Sequence, residues 1–237
     1  MRAIQKSFGL FLRQIADDGM LCMVLAAPLL AGCAFRFGVP ALETLLCKTF
    51  GEASVLADYY LLFDLFLVVM TPYLFCFVSS MVMLSEYDDN TAAYLAVTPL
   101  GRRGYIVSRL VLPALLAAVV TVPVMKFFAL ASWSVGGLLL AGLLGGALSV
   151  PVCLLVVAFS HNRVEGMALA KIAGVILLGL PVPFFLKGGA QYLFSPLPSF
   201  WIAKVFTGGG VFPLAISLAA SALWTLALYR AFARKFT

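Results

Sequence analysis

The sequence predicts an all-α integral membrane fold. Six transmembrane helices follow an N-terminal amphipathic interfacial helix, with both termini cytoplasmic. Three observations carry this expectation. Of 237 residues, 63% are hydrophobic and 11% charged, whereas a soluble domain is about half apolar and about a quarter charged. Mean hydropathy is +1.08, and apolar stretches near the ~20 residues that cross a bilayer as a helix recur along the chain. The 16 Lys and Arg residues sit at the ends of those stretches and favour one set of connections.

The whole of 1–237 reads as one transmembrane domain. In residues 1–19, Ile4, Phe8, Phe11, Leu12 and Ile15 fall at helical spacing, interrupted by Arg2, Lys6, Arg13 and Asp17. That pattern predicts a helix lying in the membrane interface. It lacks the unbroken apolar core of a cleaved signal peptide. Spans are expected at about 20–37, 59–84, 106–125, 135–159, 167–186 and 211–232. Residues 38–58 carry Glu43, Lys48, Glu52 and Asp58 and read as a loop with room for a short surface helix. Ala141, Gly142, Gly145, Gly146 and Ser149 predict close helix contact along the fourth span. Pro181 and Pro183, after Gly179, predict a kink or break in the fifth. Residues 187–210, rich in Gly, Pro and aromatics, form an outer segment before the sixth.

Placing both termini and the connections after the second and fourth spans inside leaves 11 cations inside and 5 outside, the bias of a cytoplasmic face. The net charge of +6 is spread over span ends and forms no single patch, so no nucleic-acid partner is expected. No GxxxxGK[ST] sequence is present, so the chain has no phosphate-cradling P-loop. His161 is the one histidine, which excludes an HExxH zinc site and leaves any triad dependent on that residue. Five cysteines occur without CxxC spacing; four lie in or near apolar runs, where a free thiol behaves as a small hydrophobe, and they read as structural filler. No metal ligand set or catalytic residue is expected. The two halves show no convincing internal repeat.

Asp64, in YYLLFDLFLVV, reads as the ionisable residue inside a span. Such groups default to functional roles. Three readings stay open: part of a translocation path, partner of a cation on another helix, or a wet group near the outer headgroups. The segment 85–105 is the most informative. Glu86, Asp88 and Asp89 precede the helix-prone TAAYLAV, which Asn90 or Thr91 is placed to cap. Thr98-Pro99-Leu100-Gly101 breaks it, and Arg102, Arg103 and Arg109 follow. A short surface helix with charge at both ends suits docking of a soluble partner; a solvated loop obeying the positive-inside rule is the alternative.

This stretch resembles the membrane subunits of ABC transporters of the ABC-2 type. In those, the second span runs into an acidic residue, a Thr-containing short helix, a Thr-Pro-Leu-like break and basic residues. The matching residues here are Glu86, Thr91, Thr98, Pro99, Leu100 and Arg102-Arg103. In outline the resemblance covers the chain, although the Gly-rich outer segment departs from it. It implies a permease subunit in the plasma membrane that pairs with a second permease copy, identical or not, around a translocation path. Separate ABC ATPase subunits would bind ATP and Mg and dock on Glu86, Asp88, Asp89, Thr91, Pro99, Leu100, Arg102 and Arg103. The N-terminal helix would be the elbow of the fold. Export of a hydrophobic or amphipathic compound, a peptide or a drug is the activity implied. An ATP-independent carrier or an intramembrane enzyme is the competing reading, and an accessory or immunity-type membrane protein a third.

Overall fold

A computed structural model describes residues 2–235. Among them every regular element is helical. The α-helices are α1 (Arg2–Asp17), α2 (Gly19–Cys33), α3 (Val39–Phe50), α4 (Tyr60–Asp88), α5 (Thr91–Val97), α6 (Gly101–Ile106), α7 (Leu112–Phe128), α8 (Val135–Phe159), α9 (Arg163–Ala173), α10 (Val182–Phe185), α11 (Pro198–Gly208) and α12 (Val211–Lys235). Six helical stretches are long and apolar enough to cross a bilayer: Gly19–Phe50, Ala57–Asp88, Gly101–Phe128, Val135–Phe159, Arg163–Phe185 and Val211–Lys235.

The first span is longer than its apolar run. Where a loop was expected after Phe37, the chain passes through a π turn at Ala34–Gly38 and continues as α3 to Phe50. Gly51, with φ 70°, ends it in the left-handed conformation, its N–H on the Cys47 carbonyl at 2.9 Å. Glu43, one of the residues that suggested a loop, instead folds the following turn back. Its carboxylate accepts from the N–H groups of Val55 and Leu56 at 2.9 and 2.6 Å.

The second π turn, Val107–Val111, lies in the third span. Both π turns hold an arginine four residues before a proline: Arg36 before Pro40, and Arg109 before Pro113. A helical proline has no N–H for the carbonyl four residues back, and its ring crowds that carbonyl. Widening the turn relieves the crowding.

The fifth span breaks, but ahead of its prolines. α9 gives way at Gly174 to a 3₁₀ stretch, Gly174–Gly179, and α10 resumes after Pro181. The tighter winding brings Gly179 against the backbone of α11, where an added Cβ would lie 2.6 Å from Phe200 N. The Ser199 hydroxyl donates to the Ile176 carbonyl at the same contact. Within the outer segment α11 is thus well packed, with Phe200, Ile202 and Ala203 fully buried, while Leu193 before it is exposed.

α8 is the axis of the bundle, packed on α4, α7 and α12. Its small residues permit this. A Cβ on Gly142 would meet the Ala118 carbonyl at 2.5 Å, and one on Gly145 would meet Pro72 Cγ and the Val68 carbonyl, each at 2.8 Å. Val68 is the residue whose carbonyl Pro72 leaves without an α-helical partner, and the α8 glycine comes to lie against it. The interior also holds hydroxyls, which return to their own helices: Thr71 to the Leu67 carbonyl, Ser80 to Cys76 and Thr121 to Ala117, each at 2.8 Å. Large apolar residues such as Met23, Leu30 and Val119 point outward. Gly145→Val is expected to cost about 1–3 kcal/mol through overpacking. Gly136→Ala, at a site with open space around it, should be neutral. Thermal unfolding in detergent compares the two.

Candidate functional site

The end of α4 and the π turn of the third span build a buried polar centre. Glu86 and Arg109 are 2% and 1% exposed. Arg109 Nη2 donates to Glu86 Oε1 at 2.6 Å, and Nε donates to Oε1 and Oε2 at 3.1 and 3.0 Å. The Tyr105 hydroxyl donates to Oε2 at 3.0 Å. Arg109 Nη1 reaches the first helix, donating to the Ser7 carbonyl at 2.8 Å and the Ser7 hydroxyl at 3.2 Å. Ser7 and Ser108 hydroxyls meet at 3.2 Å, and the guanidinium lies 5.3 Å from the Phe11 ring centre. Every side of the ion pair therefore has a partner, which a buried pair requires.

The backbone of Arg109 is also held from outside. Leu112 N–H reaches back five residues to the Val107 carbonyl. Pro113, second in α7, has no N–H to offer the Arg109 carbonyl. The Ser79 hydroxyl of α4 donates to it instead. The π turn that turns Arg109 inward is thus propped by the neighbouring span.

Around this centre, cations tie the helix ends together. Arg102 donates to the Ala233 carbonyl near the end of α12. Lys235 donates to the Val157 and Ser160 carbonyls at the end of α8 and lies 4.4 Å from the Tyr87 ring centre. Asp18 caps α2 by accepting from Met20 and Leu21 N–H at 3.0 and 3.2 Å, and pairs with Arg163. That guanidinium holds the Asp18 carboxyl below the usual carboxylate range. These contacts gather the first helix, the segment 85–105 and the last residues of α12 at one end of the bundle.

The structure divides the residues singled out for docking. Glu86 lies inside, beyond reach of a soluble partner. Asp88 and Asp89 are exposed, and Asp88 accepts from Arg163 N–H at 3.3 Å. Thr91 begins α5 and is half-buried; Pro99 and Arg103 are exposed, Leu100 and Arg102 half-buried. The expected Asn90 side-chain cap does not form: Asn90 takes φ 56° and its side chain makes no capping bond. Tyr94 on α5 is 72% exposed. Asp64 lies at the opposite end, 1% exposed. It accepts from Leu130 N–H, Ala131 N–H and Trp133 Nε1 at 2.8, 2.9 and 2.8 Å, while Arg36 holds the Ala129 carbonyl at 2.8 Å. Asp64 therefore ties the connection between the third and fourth spans. His161 sits in an exposed turn with Glu165.

In the sequence Arg109 reads as one more re-entry charge, although it falls inside the apolar run of the third span. The legible signal was an acid and a base 23 residues apart on consecutive spans, at matching depth on either side of their connection. Ser7, Ser79 and Tyr105 carried no such signal.

With this geometry in view, comparison with known proteins is decisive. The family described as Rv2686c-like, Fluoroquinolones export permease protein Rv2686c-like, matches residues 11–233. The chain belongs to this family of export permeases. Two relatives from strains of Mycobacterium tuberculosis are named Fluoroquinolones export permease protein MT2760 and Fluoroquinolones export permease protein Rv2686c. Each is 25% identical over 214 residues, covering 84% of this chain and 84% of the relative. No solved structure matches. Membership agrees with the ABC-2 resemblance of the segment 85–105 and with a multi-pass membrane protein.

Two outcomes follow for this export permease. Glu86→Ala strands the Arg109 charge and is expected to cost about 3–5 kcal/mol; denaturant titration of the purified protein measures it. The Asp18–Arg163 pair favours a deprotonated Asp18. Its stabilisation is complete above the ordinary value of 3.8 and is lost as pH falls through the lowered one. Asp18→Asn should flatten that acid limb, by about 0.2–1 kcal/mol for a partly exposed pair, in unfolding curves run from neutral to acid pH.

Proposed function

We propose that this export permease is the membrane-spanning subunit of an ATP-binding cassette exporter in the plasma membrane. Two permease subunits form the translocation path, and separate ATPase subunits bind ATP and Mg. The end of the bundle that gathers the first helix, α5 and the last residues of α12 faces the cytoplasm, as the Lys and Arg bias favours. The first helix lies as an elbow along the inner membrane surface.

The observation that carries this reading is the contrast between α5 and its base. Tyr94 stands exposed on a short helix that follows the exposed residues Asp88 and Asp89 in the chain. The chain on either side of that helix is anchored by the Glu86–Arg109 pair and by Arg102 on Ala233. An exposed aromatic on a firmly held support is a fit contact for a partner, because ordering it costs little on binding. Docking is therefore assigned to Asp88, Asp89, Tyr94, Pro99 and Arg103, with Thr91, Leu100 and Arg102 shaping the helix and Glu86 supporting it from within. Asp64 is assigned to holding the outer connection in place of lining the path.

The relatives' names make a fluoroquinolone the first substrate to test, as an amphipathic aromatic drug. The permease is expected to co-purify with an ATPase subunit encoded beside it and to lower drug accumulation in cells only when both are present. Tyr94→Ala with Asp89→Arg should reduce ATPase association about tenfold or more, as truncating an interface aromatic does, without lowering thermal stability. Drug efflux by the purified chain without ATP would overturn the proposal in favour of an ATP-independent carrier.

A further inference from the structure

Resting on the exporter reading, a more specific role can be assigned to the π turn at Val107–Val111. Two other elements, α1 and α4, converge on one residue there. The Arg109 guanidinium is held by Glu86 of α4 and by Ser7 of α1, and its carbonyl by Ser79 of α4. The third span at this point is held by the second span and the first helix as well as by its own π-type hydrogen bonds. On one side of the turn lie α6, the Thr98–Gly101 break and α5, with α5 packed on α6. On the other side lies α7, whose Ala118 carbonyl abuts Gly142 and whose Ala118 Cβ faces Gly146 of α8, the axis of the bundle.

A π turn holds one residue more than the α-helical turn it replaces. Passing that residue along the helix turns the segment on one side by about 100° and moves it by about 1.5 Å relative to the other. We propose that this turn is the coupling joint of the permease and that Ser79 and Arg109 are its positioning residues. Movement of the docked α5 loads the joint through α6. The joint yields as a unit when the hold of Ser79 and Glu86 on Arg109 is broken, and the displacement passes to the contact between α7 and α8. Gly101, the first residue of α6, at φ 64°, keeps the incoming chain sharply turned, so the load enters α6 at its end.

Ser79→Ala is the discriminating variant, because it removes one hydroxyl and leaves the Glu86–Arg109 pair intact. The permease is reconstituted with its ATPase subunit in proteoliposomes, and drug transported per ATP hydrolysed is read beside ATPase association and melting temperature. Ser79→Ala is expected to leave association unchanged and to shift transport per ATP about fivefold, the factor set by the net worth of a typical hydrogen bond. Ser79→Thr, which restores the hydroxyl, should recover it. The charge swap Glu86→Arg with Arg109→Glu should retain the protein in the membrane yet transport poorly per ATP, because Ser7 offers its carbonyl only to a donor. Lower melting and association with an unchanged ratio of transport to ATP would make Ser79 and Arg109 structural and overturn the joint. A wild-type chain that engages no ATPase subunit would remove the exporter reading itself, and the coupling role with it. A coupled wild type with an equally coupled Ser79→Ala would remove the joint alone.

Discussion

A guanidinium and a carboxylate taken out of water each lose several kcal/mol of hydration. The Glu86–Arg109 pair persists because its surroundings replace that hydration almost atom for atom. Tyr105 supplies a donor to the carboxylate, Ser7 supplies acceptors to the guanidinium, and Phe11 offers its ring face. The first helix, the second span and the third span cannot shift independently without exposing a charge to apolar surroundings. The geometry of α5 and α6 depends on that constraint, as does the seating of the first helix. A hydrophobic core would hold the same elements together, but without fixing their register so tightly, because apolar contact is non-directional.

The same problem of unmatched polar groups recurs through the bundle in milder form. Prolines free carbonyls that neither water nor their own helix can satisfy at membrane depth. The Val68 carbonyl lies against Gly145, where a weak C–H contact is available. The Arg109 carbonyl receives a full hydrogen bond from Ser79. Gly145 of α8 thus sits where Pro72 has opened the ladder of α4, whereas Gly142 and Gly146 meet Ala118 and Ala114 of α7. In the fifth span, a 3₁₀ stretch serves a related end by letting Gly179 and α11 approach backbone to backbone.

The six apolar stretches and the glycines of α8 could be read from residues alone, because hydrocarbon length and helix contact leave local signatures. The segment 85–105 was equally visible as an anomaly. Its internal arrangement was not, because it depends on partners far away in the chain. Glu86 looked like a surface acid until Arg109 was placed opposite it. Asp64 looked like a group awaiting a role until Leu130, Ala131 and Trp133 supplied three donors. The extension of the first span to Phe50 was hidden because Glu43 and Lys48 resemble loop residues when their folded partners are unknown. The carbonyl that Pro113 strands lies four residues back and is a local fact, but its rescue by Ser79 is a tertiary one.

The clasps made by Arg102 and Lys235 have a consequence for how the molecule is born. Ala233 and Lys235 are among the last residues described, yet they close contacts with segments more than 70 positions earlier. During synthesis the carbonyls at the end of α8 and the guanidinium of Arg102 must wait, hydrated at the membrane surface, until the final span has left the ribosome and inserted. The end of the bundle assigned to energy input is therefore completed only once α12 is in place. A chain interrupted before α12 is finished lacks both clasps, even with five spans already in place.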